Sequence, residues 1–449
     1  MNLQVKQPLR DGEARAQKHS TSWDFTAELE RLLNDYKARG NPIEVDFRKL
    51  VPLGAGIDRH THLVHPYPAK LLINIPLFFL NAGQLCPPDG TVYDPFCGSG
   101  TVLLEAILAG RRCIGSDSNP LARQIAQVKT TWIDPKELLL AVEQVLAVDV
   151  EAVRFSPVMD VGKWYSEECQ LEMGRLLNAI RIVCSGSILS FMEVCFSACV
   201  KRLSTSDPRL SVPVRLKGEA LAGHLRSLPN VRDLFLRVAS QNIGRIERLP
   251  QNSKPYAIFN DARAPLSESA EPDVDLVVSS PPYAGAQKYI RASSLSLGWL
   301  GLAPKAKLRN LERLNIGREH FSLAERRDID LDARVGAGEI LDDVSSINPL
   351  RAYIAGKYLQ EMSEAADAIV ARMKPGAKLV LIVGDNQVCG KNFKTTSFLQ
   401  RIFELRGLRT QLELVDTIKS RGLMTKRNKT AGTIEREHVY ILAKPHEES

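Results

Sequence analysis

Apolar positions along this chain recur with two periods. Continuous apolar runs of strand length end at Tyr93, cover 112–115 and 256–261, begin at Asp275, and cover 379–383. Further strand-like stretches fall at 409–418 and 438–442. Helical spacing predicts helices over 26–38, closed by Gly40-Asn41-Pro42, over 102–109, and over 353–373, closed by Lys374-Pro375-Gly376. Strands and helices that alternate in this way predict an α/β fold.

One interval breaks the alternation. After the strand at 112–115 the next candidate is 256–261, and between them helical periodicity covers 138–148, 168–183, 188–203 and 231–246. This predicts an inserted helical domain. Its second half is basic, with Lys201, Arg202, Arg209, Arg215, Lys217, Arg226, Arg232, Arg237, Arg245 and Arg248 facing few acids. Residues 1–21 are polar, and 303–350 are charged and irregular, with Lys305, Lys307, Arg309, Arg313, Arg318, Arg326 and Arg327.

With 449 residues, 44% of them hydrophobic, the chain can bury a large core, as two or three domains or as one domain with a large insertion. A net charge of +7 permits a polyanionic partner without demanding one. The eight cysteines are scattered without a CxxC pair, which indicates neither a zinc site nor a disulfide framework and suits the reduced core of a cytoplasmic protein. The N-terminus has no apolar segment of a signal peptide, and the longest early apolar run, 71–80, holds Asn74 and Pro76 and is too short to span a bilayer. His60, His62 and His65 lie close together, but no carboxylate or cysteine is spaced to complete a metal site.

The candidate chemistry lies in two stretches. Residues 92–117 read strand, small-residue loop (Phe96-Cys97-Gly98-Ser99-Gly100-Thr101), helix, strand, and then Asp117. Glycines let the backbone approach a bound group, the helix N-terminus behind offers unpaired N–H groups, and an acid about 20 residues past the glycines is placed to accept from ribose hydroxyls. The spacing is not GxGxxG, so a dinucleotide is the weaker expectation. Residues 275–283 form an apolar strand stopped by Ser280-Pro281-Pro282-Tyr283, where two prolines remove two N–H donors and stiffen the turn.

Asp94-Pro-Phe-Cys-Gly-Ser-Gly-Thr101 followed by Ser280-Pro-Pro-Tyr283 resembles motif I and the catalytic loop of the S-adenosylmethionine-dependent amino-methyltransferases of nucleic acids. The resemblance covers most of 60–130 and 255–445. It extends to Tyr67-Pro68-Ala69-Lys70, similar to the family's motif X, to Tyr289-Ile290-Arg291, and to Trp299-Leu300-Gly301. It implies a Rossmann-like sheet, mostly parallel with an antiparallel last strand. It also implies S-adenosylmethionine held by Tyr67, Lys70, Asp94, Phe96, Gly98, Ser99, Gly100, Thr101, Asp117 and Asp261. For Asp261 a turn cap before Pro265 is an equal alternative.

Seen against that resemblance, the expected organisation is an extension (1–58), core segments (59–133, 255–302, 351–449), a basic helical insertion (134–254) and a charged lid or second nucleic-acid surface (303–350). Duplex DNA is the expected partner, with a cognate restriction or defence protein left open and neither membrane nor metal involved. Arg209, Arg215, Arg232, Lys419 and Arg421 are candidate phosphate contacts. The Ser280 hydroxyl and Pro281 carbonyl would accept from the two protons of an exocyclic amine, beside Pro282, while Tyr283 stacks on a flipped base. Serine in first place is typical of the family's cytosine-N4 enzymes. This favours cytosine-N4 over adenine-N6, with RNA as a further alternative, while the intact loop from Phe96 to Thr101, Asp117 and the complete Ser280–Tyr283 turn argue against an inactive nucleic-acid-binding protein of the same fold.

Overall fold

The computed structural model describes residues 23–54, 58–68, 70–152, 161–264, 273–284, 289–303, 308–417 and 436–446. Lys419 and Arg421, two of the expected phosphate contacts, lie outside them.

Among the described residues ten strands are formed: β1 (Ile43–Val45), β2 (Thr91–Asp94), β3 (Arg112–Ser116), β4 (Ala257–Phe259), β5 (Val274–Ser279), β6 (Met373–Val383), β7 (Asn386–Val388), β8 (Lys391–Phe393), β9 (Arg409–Thr417) and β10 (Arg436–Ala443). Eight of them make one sheet in the order β1-β9-β10-β6-β5-β2-β3-β4, and β7 and β8 pair as a separate hairpin. Every neighbouring pair in the large sheet is parallel except those of β10, which runs antiparallel to both β6 and β9. This is the mostly parallel sheet with an antiparallel last strand that the resemblance implied.

Period-2 alternation sorts the side chains of the sheet. Tyr93, Val277, Leu379, Leu381 and Tyr440 face one core, completed by helices Pro349–Arg372 and Thr395–Glu404. Val92, Leu276, Val278, Val380, Ile382 and Ile441 face the other, completed by helices Thr26–Arg39, Asn74–Leu80 and Thr101–Leu108. With both faces covered, the central strands have no polar side to show, which explains their unbroken apolar runs.

From β2 the chain moves outward through β3 to β4 and then returns to place β5 on the other side of β2. The reversal opens a crevice beyond the carboxyl ends of β2 and β5, the position where open α/β sheets bind ligands. Both sequence motifs begin there: the glycine loop follows Asp94, and Ser280 follows Ser279.

Helices Pro135–Ala147, Glu167–Val183, Gly186–Val200 and Val231–Ile246 occupy the interval between β3 and β4, along with the exposed helix Gly218–Arg226. Their apolar faces share one core with Leu121 and Ile125 of helix Pro120–Thr130 and with Ile290, Leu295 and Trp299. Trp299 meets Tyr165 and Phe196 edge-on at 5.6 and 5.8 Å, so the segment after the catalytic loop is anchored on the interval helices.

Two expectations are corrected. The Lys374-Pro375-Gly376 stretch is part of a strand, since β6 starts at Met373. The register jumps from Val274 opposite Met373 to Leu276 opposite Lys378, so the proline lies in a bulge, with Gly376 at φ +79°. The 303–350 stretch contains helices Leu308–Leu314 and Gly338–Ile347, and Glu325 collects ion pairs from Arg309, Arg313 and Arg318. Those three cations are engaged internally.

Candidate active site

The glycine loop is shaped by its own backbone. Cys97 N–H donates to the Ser116 carbonyl on β3 at 2.9 Å, and Gly100 N–H closes back on the Cys97 carbonyl at 2.7 Å. Gly98 and Gly100 adopt φ +50° and +77°, a region that costs other residues about 1–2 kcal/mol. At Gly100 a Cβ would also lie 2.9 Å from the Ala126 Cβ, so the loop packs on helix Pro120–Thr130 only without a side chain. Thr101 starts the next helix directly behind the loop.

Asp117, beyond β3, folds back over the loop. Its carboxylate accepts from Gly98 N–H at 2.9 Å and from Asn119 N–H at 2.8 Å. Burial pushes its pKa up to about 6, while these two donors and Arg123 draw it back toward ionisation. Asp94 is more deeply buried, and its pKa is pushed up to about 7. The Ser279 hydroxyl donates to Asp94 at 2.6 Å and Phe96 N–H at 3.1 Å, so this carboxyl ties the glycine loop to the strand that carries Ser280.

Both loops open on one cavity of about 800 Å³, within the size range of small-molecule sites of roughly 300–1,000 Å³. Its walls include Tyr67, Lys70, Asp94, Phe96, Gly98, Ser99, Thr101, Asp117, Asp261, Ser280, Pro281, Pro282 and Tyr283. Of the expected cofactor and catalytic residues only Gly100 is absent from the wall, because it faces Ala126. Tyr67 is buried and its hydroxyl accepts from Asn119 Nδ2 at 3.1 Å. Lys70 Nζ donates to the carbonyls of His62 and His65 at 2.9 and 2.8 Å, and burial lowers its pKa to about 8. Asp261 lines the cavity and at the same time caps its own turn, accepting from the backbone and guanidinium of Arg263.

The cavity also has walls that motif reading missed: Arg48, Arg59, His62, Ser118, Asn315, Ile316, Asp416 and Glu437. Arg59 and His62 belong to the histidine-rich stretch, and Glu105, fully buried, binds both: Arg59 by a two-pronged pair at 2.9 and 3.0 Å and His62 at 2.7 Å. His65 pairs with Ser197, and His60 meets the Arg248 carbonyl. The three imidazoles therefore have three separate partners, and no group of metal-ligating side chains forms among the described residues. Asp416 and Glu437 face each other across β9 and β10.

The expected phosphate contacts lie on the surface of the interval helices and their loops. Arg209 and Arg215 are exposed, Arg209 pairs with Asp207 at 2.6 Å, and Arg232 donates to the Leu146 carbonyl. Arg245 and Arg248 have a structural task, fastening Asp58 through its carboxylate and its carbonyl. No helix among the described residues is long and apolar enough to cross a membrane.

The donor set suits S-adenosylmethionine: glycines where a nucleoside must approach the backbone, an acid for the ribose diol, and a cavity of fitting size. Sequence comparisons with known proteins agree. A family model described as DNA methylase matches residues 5–128. The type II methyltransferase M.MvaI of Kocuria varians is 28% identical over 282 residues, 57% of this chain and 62% of its own length. The chain thus spans less than two thirds of that relative. The type II methyltransferase M.BsoBI of Geobacillus stearothermophilus is 24% identical over 86% of this chain and 85% of its own. A solved S-adenosylmethionine-dependent methyltransferase from Methanosarcina mazei aligns over 81% of this chain and 96% of its own, at 11% identity and a TM-score of 0.29. With both motifs seated at the switch point of the sheet, these sequence matches make the chain similar to the DNA methylases and type II methyltransferases and support the amino-methyltransferase family that the motifs resemble.

Proposed function

We propose that the protein transfers a methyl group from S-adenosylmethionine to the exocyclic N4 amine of cytosine in duplex DNA, one base being swung out of the helix to reach the cavity. The observation that carries this reading is the meeting of Ser280-Pro281-Pro282-Tyr283 with the glycine loop in one cavity, on strands that are direct neighbours.

Bound S-adenosylmethionine would supply an electrophilic methyl group. The rest falls to the chain. An exocyclic amine is a poor nucleophile because its lone pair is delocalised into the ring. Acceptors for both amino protons, the Ser280 hydroxyl and the Pro281 carbonyl, favour a pyramidal nitrogen with its lone pair directed at the methyl group. The prolines leave that turn without competing N–H donors, and Tyr283 offers a ring for the base to stack on. Such a route requires no enzyme nucleophile, so the cysteines, buried or half-buried, have no part in it.

Serine as the first residue of the turn supports cytosine over adenine, and the matches to a DNA methylase model and to type II methyltransferases support a role in DNA modification. The test is to incubate the protein with methyl-labelled S-adenosylmethionine and mixed-sequence duplex DNA, digest to nucleosides and identify the labelled one, with Ser280→Ala alongside. Label in N4-methylcytosine that disappears in the variant is expected. Label in N6-methyladenine would overturn the base assignment, and label in RNA alone would overturn the polymer.

A further inference from the structure

A lysine with no acid beside it lies under the glycine loop. Lys129, on helix Pro120–Thr130, is fully buried, and its Nζ donates to the Ser99 hydroxyl at 3.3 Å. Among the described residues no carboxylate comes within ion-pair distance of it. The nearby charges do not compensate. Glu105 is already matched by Arg59, His62 is held neutral by burial, with its pKa lowered to about 4, and Lys70 is bound only to two carbonyls. Burial and the proximity of Lys70 both push Lys129 toward its uncharged form. A buried cation held in this way is short of an anion.

Ser99, which accepts from Lys129, lines the cavity. A serine hydroxyl that accepts from an ammonium on one side has its own proton free to turn the other way. We propose that Lys129, acting through Ser99, is a positioning residue for the carboxylate at the amino-acid end of S-adenosylmethionine, supplying the charge that Ser99 presents as a hydrogen bond. This rests on the cofactor assignment above and deepens it. The carboxylate would also offset the repulsion between Lys129 and Lys70, so that ligand and site each neutralise an excess in the other.

Two ligands that differ only in the amino-acid end separate this role from a structural one: S-adenosylhomocysteine, which has it, and 5′-methylthioadenosine, which does not. Calorimetric titration of the full chain with both, for wild type and Lys129→Met, is the experiment; methionine keeps the length of the side chain and suits a buried site. Affinity for S-adenosylhomocysteine should fall by about tenfold or more, as for a lost charge-assisted hydrogen bond, with binding of methylthioadenosine unchanged. Ser99→Ala should give the same split and serves if Lys129→Met does not fold. Equal losses for both ligands, or no loss for either, would overturn the proposal while leaving the cofactor assignment standing. Failure of the wild type to bind S-adenosylhomocysteine or S-adenosylmethionine at all would remove both.

Discussion

Tyr283, which ends the catalytic loop, lies beside Glu437 of β10, two strands away along the sheet, and favours the ionised form of its carboxylate. Glu437 also faces Asp416 across β9, and burial, followed by that neighbour, pushes its pKa up to about 7.

Removing either end of that link should therefore cost the same. Tyr283→Phe and Glu437→Ala should each lower kcat/KM by about ten- to a hundredfold, the equivalent of one hydrogen bond to a charged group, and the double variant should be no worse than either. Tyr283→Ala also removes the ring and should lose a further ~1–3 kcal/mol of base stacking. Independent, multiplying losses in the double variant would show that Glu437 does not act through Tyr283.

The two glycines of the loop should fail differently. Gly98→Ala meets open space, with Tyr67 Cε1 4.0 Å away, and bears only the left-handed backbone cost of about 1–2 kcal/mol. Gly100→Ala bears the same cost and drives a Cβ to 3.0 Å from the Ala126 backbone, which cannot give way without moving helix Pro120–Thr130. In urea denaturation Gly100→Ala should be the more destabilised of the two. Equal midpoints would mean that the helix yields.

Asp117 makes cofactor affinity depend on pH. Its ionised form is the better acceptor for ribose hydroxyls, and in the free protein its pKa is raised to about 6. Binding must then displace a proton below that value, so affinity should hold above pH 6 and fall below it by up to about tenfold per pH unit. The same raised pKa makes its contribution to stability fullest below the unfolded value near 4 and lost as pH rises through 6. Asp117→Asn should bind weakly with a flatter profile between pH 5 and 7, measured by titration calorimetry. An unchanged profile would assign the titration elsewhere.

The two signatures were legible because their chemistry is local: a glycine loop between strand and helix, and a Pro-Pro turn after an apolar run, each announce a backbone shape. The mostly parallel sheet with its antiparallel last strand came from the family resemblance and is borne out by the strand pairing, whereas the strand order that sets β2 beside β5 and brings the two loops together had no local signal. What stayed hidden was non-local. Glu437 and Asp416 reach the cavity from the far strands β9 and β10, and Lys129 reads in sequence as an ordinary polar position of a helix but is fully buried. Pro375-Gly376 read as a break because a bulge and a chain end share the same residues, and only the partner strands distinguish them.

The basic interval helices offer a test by salt. Each phosphate neutralised contributes about 0.9 to the slope of log K against log salt concentration on duplex DNA, so replacing Arg209, Arg215 and Arg232 together by Gln should flatten that slope by up to about three. The full value is the upper bound, because Arg209 is already paired with Asp207 and Arg232 is bound to the Leu146 carbonyl. Asp207→Asn, which frees Arg209, should instead tighten binding at low salt. Arg245→Gln is the contrast: its guanidinium holds Asp58 and the side chain is largely buried, so it should lower stability and leave the slope alone. Fluorescence anisotropy of a labelled duplex across a salt series reads the three variants against the wild type. A triple variant with the wild-type slope would exclude this face and leave the phosphate contacts to other basic residues.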